Sequence, residues 1–135
     1  LPRAERFQEF EYPIAAQIGL GVAVSYALEL GIEAIANRIS TLSVKLRTGL
    51  QEAGAKVHDG PGPQSGIVSF TLPNVDCDQL ASQLKLAGIN VSVTRAAWTR
   101  FDMGQRGLAA AVRASPHVYN TEAEIDYLVN QVAAS

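Results

Sequence analysis

The chain has 135 residues, 47% of them hydrophobic and 18% charged, and eleven Lys and Arg against thirteen Asp and Glu give a formal net charge of −2. That length suits one ordinary domain, with enough apolar material for a packed core and too little charge for a disordered tail. The balance excludes the basic footprint of a nucleic-acid-binding or anionic-membrane-binding surface. The single cysteine, Cys77, excludes an internal disulfide and a cysteine-rich zinc site, so a reducing, cytoplasmic setting is the expectation.

The chain opens Leu1-Pro2-Arg3, with no initiator Met and no basic-then-apolar leader, and is expected to be a piece of a longer protein. Its most apolar stretch, Ile14 to Leu30, is interrupted by Gln17, Ser25 and Glu29 and contains Gly19 and Gly21. A membrane span needs roughly 20 predominantly apolar residues, so this run reads instead as a helix buried in protein on several sides. Pro13 suits its first turn and Gly31 punctuates it. Ile32, Ile35, Ile39, Leu42, Leu46 and Leu50 follow at the spacing of one helical face, with Arg38, Lys45, Arg47 and Glu52 on other faces and Gly54 as the stop.

Beyond Gly54 the pattern changes. Val57-His58-Asp59 is a candidate short strand, Gly60-Pro61-Gly62-Pro63 a turn, and Ile67 to Leu72 a strand rich in branched and aromatic residues. Asp76 with Gln79 resembles a capping box for a helix that turns Leu80, Leu84 and Ala87 inward and stops at Gly88. Ile89 to Thr94 alternates as a strand, and residues 95 to 107 read as a polar loop whose Arg95, Arg100 and Arg106 form a solvated face. Leu108 to Ser115 is a third strand. Thr121 with Glu124 is a second capping box, opening a helix whose Ile125, Leu128, Val129 and Val132 share one face. The fold class is α+β: long N-terminal helices, then a small three- to four-stranded, largely antiparallel sheet covered on one side by helices.

Arg113 is the leading candidate for chemistry. It lies in a predicted strand among Ala111, Val112, Ala114 and Ser115, where a charge is costly without a partner. A guanidinium fork matches a carboxylate with two parallel hydrogen bonds; the plainer reading pairs Arg113 with a local Asp or Glu. The two histidines, His58 and His117, have no Ser, Asp or Cys at a triad spacing and no clustered carboxylates for a metal. Cys77 falls in a first helical turn, where the dipole can lower a thiol pKa, yet no base accompanies it. The Gly60 to Pro63 turn lacks the Lys-Ser/Thr ending of a phosphate loop. Composition and spacing alone stop at an α+β domain.

The segment Val112-Arg113-Ala114-Ser115-Pro116-His117-Val118-Tyr119-Asn120-Thr121, followed by Glu122 and Glu124-Ile125-Asp126, resembles the C-terminal signature of class V aminotransferases. That pyridoxal-phosphate family holds cysteine desulfurases, selenocysteine lyases and isopenicillin N epimerase-like enzymes. Arg6-Phe7, Gly19-Leu20-Gly21, Leu30-Gly31, Gly66-Ile67-Val68-Ser69-Phe70 and Gly88-Ile89-Asn90-Val91 match in order, so the likeness covers nearly the whole chain and is nearest the epimerase and selenocysteine-lyase branch.

The resemblance implies the C-terminal third of a dimeric enzyme of about 400 residues, acting on an amino acid or amine by transamination, epimerisation or lyase chemistry. Residues 1–54 would be helical segments bridging to a large cofactor-binding domain, and 55–135 the small domain. Arg113 would hold the substrate carboxylate, while Asn120 and Thr121 are structural. The cofactor needs a lysine and an acidic partner for its ring nitrogen; Lys45, Lys56 and Lys85 match no family lysine motif, so the chain alone is expected to be inactive and free of cofactor. Where the family often has Gly-Thr against the neighbouring subunit's cofactor phosphate, this chain has Glu11 and Tyr12, leaving Tyr12 as the candidate donor. The loop that carries a nucleophilic cysteine in desulfurases has Ala96, Ala97, Trp98 and Thr99 here, which argues against persulfide formation. The alternative of another class is a stand-alone dimerisation or interaction module, docking through Ile14–Leu30.

Overall fold

The computed structural model describes residues 13–59 and 65–135. These form α1 (Ile14–Leu30), α2 (Ile32–Glu52), β1 (Lys56–Val57), β2 (Val68–Thr71), α3 (Cys77–Leu86), β3 (Ser92–Arg95), α4 (Arg100–Gln105), β4 (Ala110–Ala114) and α5 (Glu122–Ala133). The chain divides into two compact units between Ile35 and Ala36.

In the first unit, α1 has the bounds its apolar run predicts. Pro13 occupies the N-cap, and Gly31 closes the helix at φ +87°, its N–H donating to the carbonyls of Ala27 at 3.1 Å and Leu28 at 3.2 Å. The expected burial is not found: no α1 residue is buried, and Ile14 is 68% and Leu28 64% exposed. A helix that is apolar all round has no face suited to water. No single helix among them is long and apolar enough to cross a membrane.

In the second unit, the helices α2, α3 and α5 bury one face of a four-stranded sheet of order β1-β2-β4-β3. All three pairings are antiparallel: Lys56 lies opposite Thr71, Ser69 opposite Arg113, and Arg113 opposite Ser92. Val68, Phe70, Val112 and Ala114 point from the sheet into a core completed by Leu42, Leu46, Leu50, Leu80, Leu84, Ile125, Leu128 and Val132. A large apolar side chain buried this fully contributes about 1.5–3 kcal/mol. The C-terminal half of α2 therefore packs with the sheet, within the second compact unit. Gly49 permits the close approach of α5, because a Cβ there would stand 2.7 Å from Val129 Cγ2.

The caps follow the sequence. The Asp76 carboxylate accepts from the N–H groups of Asp78 at 2.9 Å and Gln79 at 3.1 Å. Thr121 and Glu124 form the reciprocal capping box of α5, an arrangement worth about 1 kcal/mol. The 95–107 segment departs from its reading as a loop, since it contains the short helix α4. Six residues with one buried anchor, Met103, leave too little apolar period to detect.

Arg47 also departs from expectation. It is buried, 6% exposed, and reaches from α2 to both sides of the connection between β1 and β2. Its Nε donates to Asp59 Oδ2, and its Nη2 donates to the carbonyls of Ser65 at 2.7 Å and Ile67 at 3.2 Å. Asp59 Oδ1 in turn accepts from the Ser69 N–H at 3.3 Å. Removing one partner of a buried ion pair leaves an uncompensated charge. Arg47→Ala is expected to lower the unfolding free energy by about 3 kcal/mol or more, measured by urea denaturation; a loss below about 1 kcal/mol would refute the clasp.

Candidate functional site

The pleat sorts the sheet residues onto two faces. Val68, Phe70, Val112 and Ala114 face the helices, so Ser69, Arg113 and Ser92 line the other face. The His58 N–H donates to the Ser69 carbonyl at 2.7 Å, which places His58 at the end of the same cross-strand row: His58, Ser69, Arg113, Ser92. Neighbours in such a row stand about 5 Å apart. Arg113 is exposed, and among the described residues it makes no ion pair and no side-chain hydrogen bond. The local carboxylate of the plainer reading is thus not found among them. Two small hydroxyl residues flank the guanidinium and leave its surroundings open.

His58 Nε2 lies 2.8 Å from Thr71 Oγ1. Burial, then the charges of Lys56 and Arg106, hold its imidazole below the usual range, against the pull of Asp59. His117 is exposed and its ring stacks on Tyr119 with centroids 5.0 Å apart, while its backbone N–H donates to Asn120 Oδ1 at 2.8 Å. That is a loop histidine held by its backbone and by stacking.

A cleft of about 360 Å³ opens beyond the C-terminal end of β4, lined by Asn90, Ser115, Tyr119, Asn120, Glu124 and Tyr127 among others. Arg113 does not line it. Glu124 is already spent on the helix cap: its carboxylate accepts from the Thr121 N–H at 2.7 Å, the Thr121 hydroxyl at 3.1 Å and the Asn120 amide at 3.4 Å. Those bonds, the Thr121 backbone N–H first, hold it below the ordinary carboxylate range. Asn120 and Thr121 are therefore structural, as the signature implied. The cleft presents no free charge for an acid group.

Cys77 is buried at the start of α3. Burial above all, then the Asp76 charge, pushes its thiol up and outweighs the hydrogen bond from the Val112 backbone. The lowering by the helix terminus considered from sequence does not prevail. Among the described residues no group of three or more His, Cys, Asp and Glu could hold a metal.

The lysines do not fit a covalently held aldehyde cofactor. Lys45 Nζ is paired with Asp126 at 2.7 Å, and Lys56 and Lys85 are exposed. A lysine in that role needs a desolvated pocket. Tyr12, the Gly60 to Pro63 turn and Arg6-Phe7 lie outside the described residues. Of the three arginines expected on a solvated loop face, Arg95 pairs with Asp78 and Arg106 with Asp102, while Arg100 is exposed. Sequence reasoning missed Ser69 and Ser92 as flanks of Arg113, although the alternation Val68-Ser69-Phe70 and Val91-Ser92-Val93 carried the signal.

Residues 4–128 match the family described as aminotransferase class-V. A cysteine desulfurase of Haloferax volcanii is 30% identical over 132 residues, covering 96% of this chain and 31% of the relative. One of Salmonella agona is 34% identical over 116 residues, covering 83% and 27%. The solved apo structure of a cysteine desulfurase from Thermococcus onnurineus is 26% identical, with a TM-score of 0.87 over 97% of this chain and 33% of that one. The chain thus spans about a third of the length of these relatives. These relatives carry the desulfurase name. Arg113 sits on an inner strand of a small antiparallel sheet within a fold like that of the Thermococcus onnurineus enzyme, and the chain belongs to the class V aminotransferases.

Proposed function

We propose that this chain is the C-terminal part of a homodimeric, cytoplasmic, pyridoxal-phosphate-dependent enzyme acting on an amino acid or amine, and that Arg113 binds the substrate's carboxylate. The observation carrying this reading is an exposed guanidinium on an inner strand, with no carboxylate partner among the described residues, inside the family signature. A charge-assisted contact to a carboxylate contributes roughly 1.5–3 kcal/mol, enough to fix the orientation of a small amino acid. When bound in the complete enzyme, the cofactor supplies the electron sink for bond breaking at the α-carbon. This chain's own residues bind and orient the acid group.

The cofactor lysine and the wall opposite Arg113 belong to polypeptide beyond this chain. The chemistry of Lys45, Lys56 and Lys85 supports that division. So does α1, whose uncovered apolar surface suits contact with a large domain or a second subunit. The reaction is transamination, epimerisation or a lyase step that does not form a persulfide. Cys77 supports this, being buried and held in the thiol form, which is the unreactive one.

In the complete enzyme, Arg113→Lys is expected to lower kcat/KM for an amino-acid substrate by about tenfold or more, because the bidentate fork is lost. An unchanged value removes Arg113 from the role. The 135-residue chain, mixed with pyridoxal phosphate and reduced with borohydride, is expected to show no single preferentially labelled lysine by peptide mass mapping. Stoichiometric labelling of one site would contradict the division between this chain and the cofactor. Cys77 is expected to react with a disulfide reagent at pH 8 at least about tenfold more slowly in the folded chain than in urea. Equal rates would reopen its candidacy as a nucleophile.

A further inference from the structure

The outer face of the sheet, opposite the helices, is not bare along its whole length. Ala111 lies on the same side of β4 as Arg113, yet Ala111 is only 3% exposed. Met103, the anchor of α4, is also 3% exposed. Neither belongs to the helix-side core. α4 lies in the connection that leaves β3 at one edge of the sheet, where Arg95 pairs with Ala110, and a side chain at its end reaches the residue after β1, the strand at the other edge. There Arg106, the residue that closes α4, donates from Nη2 to the His58 carbonyl at 2.6 Å. Asp102, one turn earlier on α4, accepts from Arg106 Nη1 at 3.2 Å and holds the guanidinium in line. The anchor point, His58, ends the row that contains Ser69, Arg113 and Ser92.

We infer that Arg106 is a positioning residue: it straps α4 across the outer face, so that the 96–106 segment forms a fixed side wall next to the carboxylate site at Arg113. The inference rests on the proposed role of Arg113 for its functional meaning and on geometry alone for the strap. Every backbone carbonyl offers two lone pairs; the His58 carbonyl, at the sheet edge, gives the strap an acceptor that no side-chain substitution removes. Without the strap, α4 keeps its buried Met103 and the backbone bonds at its two ends, and the wall beside Arg113 becomes more mobile.

Trp98, the only tryptophan of the chain, lies in the strapped segment and is 71% exposed, so its fluorescence reports the wall directly. The first measurement is time-resolved anisotropy of Trp98 in the 135-residue chain. Arg106→Ala is expected to increase its local motion while the thermal midpoint of the sheet signal stays within about 3 °C. His58→Ala is expected to leave the anisotropy unchanged, because the acceptor is backbone. Unchanged motion in Arg106→Ala, or an equal change in His58→Ala, overturns the strap.

The second measurement uses the complete enzyme with a panel of L-amino acids. Arg106→Ala is expected to raise KM about tenfold with kcat within about twofold, and Arg106→Lys to restore part of the loss. A KM that does not move overturns the positioning role even if the wall loosens. Arg113→Lys in the same panel tests the carboxylate site separately, and the anisotropy result stands whichever way that falls.

Discussion

The period-two pleat of β4 sets a guanidinium between two core side chains. Val112 and Ala114 enter the helix-side core, and Arg113, between them, emerges on the opposite face. Because β4 is bonded on both edges, by β2 and by β3, its register is fixed twice. A slip of one residue would drive the charge into the core and Val112 into water, at a cost far beyond what either pairing could offset. The buried contacts of Leu42, Leu46, Leu50 and Phe70 thus do more than hold the fold together: they determine where a positive charge can appear on its surface.

How far this was legible in the sequence depended on period and chemistry. The α2 stripe, the two N-caps and the alternation of β2 and β3 were readable because each rests on local spacing. The burial of Arg47 was not, since its helical position looks like any charged face until Asp59 and the Ser65 and Ile67 carbonyls come round from the other side. α4 escaped notice because six residues around one methionine carry no detectable repeat. The signature around Arg113 identified the residue type, but only strand pairing revealed Ser69, Ser92 and His58 as its row-mates.

The distribution of reactive groups is informative in its own right. The thiol is buried and its pKa pushed up, one ammonium is paired, and the two imidazoles are each engaged by a neighbour. What remains on the open face is a cation with small hydroxyl flanks. In the proposed role that cation recognises and orients an acid group, and the bond-breaking chemistry is the cofactor's.

The exposed apolar surface of the first helix has a consequence for how the polypeptide is made. Its eight large apolar side chains, from Ile14 to Leu30, are each at least 45% exposed; sheathing them would release on the order of 10 kcal/mol. Translated ahead of the sheet, this oily cylinder stays exposed until a cover packs on it. In that interval it is a segment through which newly made chains can stick to one another.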